Sequence, residues 1–254
     1  MTVGCGASEA SLPAPRTVNE AREEATAQSQ PDPTPKPATK KKKKVNPSER
    51  AEAEERKVAV SGIEGTLSNY DVRTTLDKRG KEFASCYTPR ARHVPALGGS
   101  VQFTIHVLKS GQVRDVHTLA SDLGDRVLER CLGEVIRGAQ FPSPHGGEAD
   151  VQYQMALEPA ENMRTEQWET RRVESVLRKR RSALLSTCDA HRTGPFTVTA
   201  YVSRSGRVLA AGVSAPTVTS GDTLDCIAEE LRSWSMPRPR KAIAKVSFPL
   251  RTGA

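Results

Sequence analysis

Two stretches of this 254-residue chain repeat one residue pattern at a separation of 95 positions, which constrains the fold more than any other sequence feature. Residues 99–155 align with residues 194–250 without a gap. Identical residues occupy matched positions along the alignment: Gly99/Gly194, Val107/Val202, Ser110/Ser205, Gly111/Gly206, Val113/Val208, Cys131/Cys226, Pro142/Pro237, Pro144/Pro239 and Val151/Val246. Self-similarity at a fixed offset indicates a structural module that has been duplicated.

Each copy contains the pattern of a β-hairpin followed by a third strand. Apolar and polar residues alternate before and after the Ser-Gly pairs at 110–111 and 205–206. This period of two predicts half-buried strands. The glycine accepts the positive φ that a short hairpin loop needs. Further alternating runs at 151–157 and 246–250 predict the strand that closes each copy.

Two helices are expected in each copy. Ser68-Asn-Tyr-Asp71 is typical of a capped helix start, and this helix is expected to end at Cys86, or at Cys188 in the second copy. A second helix is expected from about Asp125. Its apolar face is predicted to contain Val127, Leu128, Cys131, Leu132, Val135 and Ile136. Seven extra residues of the first copy, within 88–97, predict a surface loop. The order α-β-β-α-β predicts an α+β fold with helices packed on a small antiparallel sheet.

The first 57 residues show no apolar periodicity and differ from the rest of the chain in composition. They contain a Pro-rich run at 31–37, consecutive lysines at 40–44 and a polar run at 48–57. Such a segment cannot bury enough apolar surface to offset its ordering entropy. We therefore predict a disordered Pro/Lys-rich tether at 1–57, module 1 at 58–160 and module 2 at 161–254.

Four of the five cysteines recur at matched positions of the two copies. The pairs Cys86–Cys131 and Cys188–Cys226 predict disulfides that close loops of 45 and 38 residues. Disulfides would in turn imply an oxidising compartment. Buried free thiols, a metal site that uses the spacing of Cys188 and His191, and a catalytic thiol are the alternatives left open.

The positive charge of the chain is concentrated in its last third. The net charge is +8, and residues 161–254 alone carry 16 basic and 9 acidic side chains. The candidates for binding an anionic partner are Arg171, Arg172, Arg178, Lys179, Arg180 and Arg181. This cluster indicates nucleic acid, anionic lipid or another acidic polymer as a partner, or a solvated helix face.

The fifth cysteine lies near the beginning of the chain. Cys5 follows Gly4 and precedes small and acidic residues, as at the processing site of a bacterial lipoprotein, so Cys5 is a lipidation candidate. No hydrophobic region precedes Cys5, so either the start lies inside a longer reading frame or Cys5 is incidental. No run approaches 18 consecutive apolar residues, so the sequence predicts no membrane span.

No residue pattern indicates catalysis. The five histidines, His93, His106, His117, His145 and His191, do not occupy repeated positions. Neither a carboxylate pair nor a Gly-rich phosphate loop stands out. We therefore predict no catalytic residues, no metal, no cofactor and no small-molecule substrate.

One set of motifs resembles a known family. The motifs are Ser85-Cys86-Tyr87, Gly98-Gly99-Ser100-Val101-Gln102-Phe103-Thr104-Ile105, Ser110-Gly111-Gln112-Val113, Leu123-Gly124-Asp125, Glu129-Arg130-Cys131 and Phe141-Pro142-Ser143-Pro144-His145-Gly146-Gly147. They resemble the AgmX/PglI C-terminal domain, which is known from proteins linked to gliding motility and is similar to the TonB C-terminal domain. The resemblance covers residues 60–158 and, in divergent form, 165–250.

The resemblance implies a non-enzymatic protein that faces the periplasm and binds other envelope proteins, in a role related to motility or envelope transport. We expect an adaptor that binds its partner by strand addition at residues 151–157 or 244–250, unless those strands are internal or covered. The alternative function is binding of nucleic acid or an anionic surface through module 2. The expected location is the periplasm, with outer-membrane anchoring as a lipoprotein, or the cytoplasm if the cysteines are free.

Overall fold

The computed structural model describes residues 65–159 and 163–252. Module 1 contains α1 (Asn69–Asp77), α2 (Gly80–His93), β1 (Gly99–Val107), β2 (Val113–Ser121), α3 (Arg126–Arg137) and β3 (Ala149–Leu157). Module 2 contains β4 (Glu166–Trp168), a 3-10 helix (Thr170–Arg172), α4 (Glu174–Thr187), β5 (Phe196–Val202), β6 (Val208–Ser214), α5 (Gly221–Arg232) and β7 (Ala244–Leu250). The α+β class is confirmed. The expected tether at 1–57 and the lipidation candidate Cys5 lie outside the described residues.

Each module has its own small sheet. The strand order is β2-β1-β3 in module 1 and β4-β7-β5-β6 in module 2. β1 pairs antiparallel with β3 over nine residue pairs, from Gly99 opposite Leu157 to Val107 opposite Ala149. The sequence pattern did not predict β4, which pairs in parallel with β7 and so adds one parallel pair to an otherwise antiparallel sheet.

The hairpin loops of the two modules are built alike. Gly111 has φ +81° and Gly206 has φ +85°, in the left-handed region that favours glycine. A Cβ at Gly111 would also collide with the carbonyl oxygen of Phe141, and one at Gly206 with that of Met236. Both the backbone conformation and the lack of space therefore require glycine at these two turns.

The first helical region differs from the prediction in two ways. Ser68 caps α1 as expected, because its Oγ accepts a hydrogen bond from the Asp71 amide at 3.1 Å. The helix is interrupted at Arg79, whose guanidinium donates to the Gly138 carbonyl at 2.7 Å, and glycine follows at position 80. α2 then runs past Cys86 to His93. The surface loop expected within 88–97 is therefore wrong: residues 88–93 extend the helix, and residues 94–97 form a mostly buried turn.

The buried face of α3 is narrower than the sequence predicted. Leu128, Leu132 and Ile136 are completely buried at a spacing of four residues. Val127 was expected on this face but is 43% exposed. Glu129, a charged residue that no apolar pattern selects, is 1% exposed. α3 therefore packs one face on its own sheet and turns Glu129 toward module 2.

Two hydrophobic cores lie between the helices and their sheets. The core of module 1 also takes in Tyr201 and Ala210 of module 2, so the two cores meet at the junction of the modules. Each predicted cysteine pair is a disulfide, with Cα–Cα distances of 5.8 Å for Cys86–Cys131 and 5.6 Å for Cys188–Cys226. These bridges tie α2 to α3 and the end of α4 to α5.

Candidate interaction site

The outer strands β2 and β6 lie at the junction, where side chains from the opposite module bind their edges. The Ser121 amide of β2 donates to Oγ of Ser214 at 3.2 Å, and the Val213 amide of β6 donates to Oε2 of Glu129 at 3.3 Å. Nε2 of His117 donates to the Ala215 carbonyl at 2.9 Å. Unpaired groups on a sheet edge invite pairing with another chain. Docking of the modules thus satisfies groups on both of these edges.

The segment that follows α2 forms the centre of this junction. Gly98 is buried and bonds to module 2 through both backbone polar groups. Tyr201 donates its hydroxyl to the Gly98 carbonyl at 2.8 Å and accepts from the Gly98 amide at 3.1 Å. Nζ of Lys245 donates to the same carbonyl at 2.7 Å. Burial lowers the pKa of Lys245, against the opposing effect of Asp122. The extra residues of module 1 therefore lead into the surface that receives module 2.

Ion pairs complete the junction around the first turn of α3. Asp125 caps α3 by accepting from the Leu128 amide at 3.0 Å, and its other oxygen binds Nη2 of Arg90 at 2.6 Å. Asp225 of α5 reaches across to Arg126 at 2.6 Å and to Arg130 at 2.8 Å. Arg90 belongs to the part of α2 that module 2 lacks. The Arg90–Asp125 ion pair therefore has no counterpart in module 2.

β3 is the long sheet edge that stays open. It pairs with β1 on one side, and no strand of residues 65–159 or 163–252 pairs with its other side. Its side chains alternate between exposed and half-buried positions from Asp150 to Leu157. Asp150, Gln152, Gln154 and Ala156 are exposed, whereas Val151, Tyr153, Met155 and Leu157 are half-buried against the helices. An edge of nine residues offers several unpaired backbone groups to an extended peptide.

A groove of about 360 Å³ lies between α1 and β3. It is lined by Asn69, Val72, Arg73, Asp77, Gln152, Tyr153 and Gln154. Tyr153 has a raised pKa, chiefly because it is partly buried and also because Asp77 is close, while Arg73 acts in the opposite direction. The open edge of β3 is therefore flanked by a groove that contains a phenol and charges of both signs.

The second predicted strand-addition site is wrong. β7 (Ala244–Leu250) lies inside its sheet, with β5 on one side and β4 on the other. Glu166 pairs with Ala244 and Trp168 with Val246, so β4 covers the first part of β7. The expectation failed because β4 is only three residues long and its sequence carries no alternating pattern.

The six basic candidates of module 2 are all exposed. The guanidinium of Arg172 lies 5.3 Å from the ring centroid of Trp168, and Arg171 pairs with Glu169 at 2.9 Å. Arg178, Lys179, Arg180 and Arg181 form no ion pair with any residue in the described part of the chain. Their role in anion binding stays a prediction.

Neither metal binding nor a membrane span is visible in the described ranges. Within 65–159 and 163–252, no group of three or more His, Cys, Asp and Glu side chains could hold a metal ion. No helix in the same ranges has the length and apolarity needed to cross a bilayer. Cys188, considered above as a ligand with His191, is bonded to Cys226 instead, and His191 contacts Oγ of Ser186 at 3.0 Å.

Sequence reasoning missed the residues that join the modules. Glu129 and Tyr201 occupy positions that an amphipathic pattern assigns to solvent, yet both are almost completely buried. One signal was present: residues 208–214 read Val-Leu-Ala-Ala-Gly-Val-Ser, with no polar residue before the final serine. A strand without alternation is typical of burial on both faces. That pattern could have identified β6 as a strand covered by the other module.

Comparison with known proteins gives a partial structural match. No protein-family model and no curated protein matches the chain. Two NMR solution structures of the C-terminal domain of Helicobacter pylori TonB are similar to part of it. The shorter fragment is 22% identical, and the match covers 35% of this chain and 97% of that chain with a TM-score of 0.28. The longer is 20% identical, with 47% and 100% covered and a TM-score of 0.29. These values do not assign the chain to a family.

Proposed function

We propose that the chain is a non-enzymatic adaptor of the cell envelope that binds a partner protein by strand addition to β3. The observation that carries this proposal is the open edge of β3, nine residues long and paired only with β1 among the described strands. Backbone hydrogen bonds to this edge would give affinity. The groove beside α1 would hold side chains of the added strand and so select its sequence.

Two features support an envelope location. Both modules contain a disulfide, and disulfides persist in oxidising compartments such as the periplasm. The motifs that contain Cys86 and Cys131 resemble the AgmX/PglI C-terminal domain, whose proteins are linked to gliding motility. We propose a periplasmic location, with attachment to the outer membrane through a lipid on Cys5, and a role in motility or envelope transport.

We also propose that the modules are divergent copies of one domain. Their hairpin loops support this, because the Leu108 amide donates to the Gln112 carbonyl at 2.8 Å and the Ser203 amide donates to the Arg207 carbonyl at the same distance. After the duplication, module 1 would have kept the strand edge that binds a partner. In module 2, β4 pairs with the first three residues of the edge equivalent to β3, whereas in module 1 no described strand pairs with that edge.

Site-specific photo-crosslinking in the native cell tests the proposed site. A photoreactive amino acid at Gln152 or Gln154 should capture the same envelope protein, because both side chains are exposed on β3. Ser143, exposed in a loop of the same module, is the matched control. A synthetic segment of the captured protein should then slow amide exchange along β3. Equal capture from Ser143, or unchanged exchange in β3, would refute strand addition.

Binding to an anionic surface is a second candidate function, favoured by the four consecutive cations at 178–181. Their exposure, and the lack of carboxylate partners among the described residues, leaves their charge available. Replacing all four by alanine should strongly weaken sedimentation with phosphatidylglycerol vesicles at low salt. The matched control replaces Arg204, Arg207, Arg238 and Lys241, which carry the same charge at other exposed positions. Equal losses in both variants would show a non-specific effect of net charge.

A further inference from the structure

Glu129 is an ionisable side chain enclosed between the two modules. It is 1% exposed, and donors from both modules reach its carboxyl group. Oγ of Ser121 donates to Oε1 at 2.6 Å, and the Val213 amide donates to Oε2 at 3.3 Å. The carboxyl group therefore bonds module 1 to module 2 through a single side chain.

Module 2 is shaped to receive this side chain. A Cβ at position 212 would collide with Oε1 of Glu129 and would lie 2.8 Å from the Asp125 amide nitrogen. Gly212 thus allows the carboxyl group to approach the backbone of β6. Since Val213 lies on the outer strand of its sheet, its outward amide gains a partner only when the modules are docked.

The ionisable surroundings of Glu129 come from four elements, α3, α5, β2 and β5. On α3, Arg126 favours the ionised carboxyl group and Asp125 disfavours it. Arg126 is itself shared with Asp225 of α5, at 2.6 Å. The ionisable groups of the other packed strands are Arg114, Asp115 and His117 of β2, which line one cavity with Glu129, and Tyr201 of β5, while β6 contains no ionisable side chain. The positive charge nearest to Glu129 is therefore already partly neutralised.

We propose that Glu129 makes the docking of module 2 onto module 1 sensitive to pH, so that docking is tightest when its carboxyl group is protonated. Separation of the modules would return Glu129 to water and release the proton near neutral pH. It would also uncover the edges of β2 and β6, which the junction otherwise protects. This inference does not depend on the proposed role of β3.

The direction of the effect follows from the burial of the group. Burial raises the pKa of Glu129 from 4.5 to about 7, and the bond from Ser121, which lowers it, does not compensate. A carboxyl group with a raised pKa contributes its full stabilisation below about pH 4.5, and that contribution declines until about pH 7. Above about pH 7 the carboxyl group is ionised in both the docked and the separated state, so its protonation no longer affects docking. The docking constant should therefore fall by at most about tenfold per pH unit within this window.

Hydrogen exchange on the full chain, corrected for the intrinsic pH dependence of exchange, tests the proposal. Amides at 212–215 should lose protection on going from about pH 5 to about pH 7.5, while the β1–β3 ladder remains protected. Glu129→Gln keeps the shape of the side chain and should remove this pH dependence. Glu134→Gln, an exposed change on the same helix, is the control and should keep it.

A second measurement covers the case in which Glu129→Gln does not fold. Ser121→Ala removes the donor that lowers the pKa of Glu129 and should move the loss of protection to higher pH. A pH dependence that Glu129→Gln leaves unchanged, or that is absent from the original protein between about pH 5 and about pH 7.5, would overturn the proposal. So would an unchanged midpoint in Ser121→Ala.

Discussion

The hydroxyl group of Tyr201 satisfies both backbone groups of Gly98, the residue that precedes β1. It donates to the carbonyl at 2.8 Å and accepts from the amide at 3.1 Å, across a sequence separation of 103 residues. Burial raises the pKa of Tyr201 to about 12, so the hydroxyl keeps its proton and can donate over the whole physiological range. One phenol thus joins the end of the module 1 extension to the central strands of module 2.

Tyr201→Phe should destabilise the chain by about 1 to 3 kcal/mol, because the buried Gly98 amide would lose its partner. The Gly98 carbonyl would keep its bond from Lys245 and should contribute less to the loss. The measurement is urea unfolding followed by circular dichroism. Tyr70→Phe, at a residue 76% exposed, is the control and should change stability by less than about 0.5 kcal/mol. Equal effects of the two changes would mean that the hydroxyl bonds contribute nothing measurable.

The local features of the fold could be predicted from sequence, whereas the packing of the modules could not. The helix start at Ser68, the turns at Gly111 and Gly206 and the cysteine pairs depend on neighbouring residues or on the repeat. The burial of Glu129 depends instead on where β6 lies in space. No pattern within α3 contains that information, since a glutamate on a helix is usually solvated.

The same distinction applies to the candidate site. Residues 151–157 were predicted as a strand that could accept a partner, and β3 has an open edge. β7 was predicted on the same grounds, but it is an internal strand of its sheet, and β4 pairs with its first three residues. The basic cluster at 171–181 was predicted from composition; its six cations are exposed, and anion binding by them stays a prediction. Whether an edge is free is a property of the tertiary structure, which alternation along a single strand does not report.

Loss of either disulfide should lower stability substantially. The bridges close loops of 45 and 38 residues, and the chain-entropy relation gives about 4 kcal/mol for each. Cys188→Ala/Cys226→Ala should therefore lower the urea midpoint to a similar extent as Cys86→Ala/Cys131→Ala. Unfolding with and without a reductant provides the control, because reductant should further destabilise each double variant through its remaining bridge. A midpoint that both double variants leave unchanged would contradict the prediction.

The hairpin glycines should tolerate no side chain. Gly206→Ala would combine an unfavourable φ with a collision against the Met236 carbonyl, and we expect a loss of about 2 kcal/mol or more. Gly80→Ala is the control, because nothing lies within 4 Å of a Cβ built at the start of α2. There alanine should be neutral or stabilising by up to about 1 kcal/mol. Thermal unfolding of the two variants would compare their stabilities. A Gly206→Ala protein at least as stable as Gly80→Ala would contradict the requirement for glycine at this turn.

Arg90→Ala should destabilise the chain, because it leaves the buried carboxylate of Asp125 without its charged partner. Asp125 is 1% exposed and receives two bonds from Arg90, at 2.8 and 2.6 Å. Removing one partner of a buried ion pair costs about 3 kcal/mol, whereas Arg92→Ala, an exposed change on the same helix, should cost less than about 0.5 kcal/mol.

A double-mutant cycle separates this charge effect from the loss of arginine packing. Asp125→Asn retains an N-cap for α3 but removes the negative charge. Arg90→Ala should therefore cost much less in the Asp125→Asn background than in the original protein, with a coupling free energy of about 1 kcal/mol or more. Urea unfolding of the four proteins provides the measurement. Additive losses would show that Arg90 stabilises the chain only through its packing contacts, and that the seven-residue extension does not act through charge.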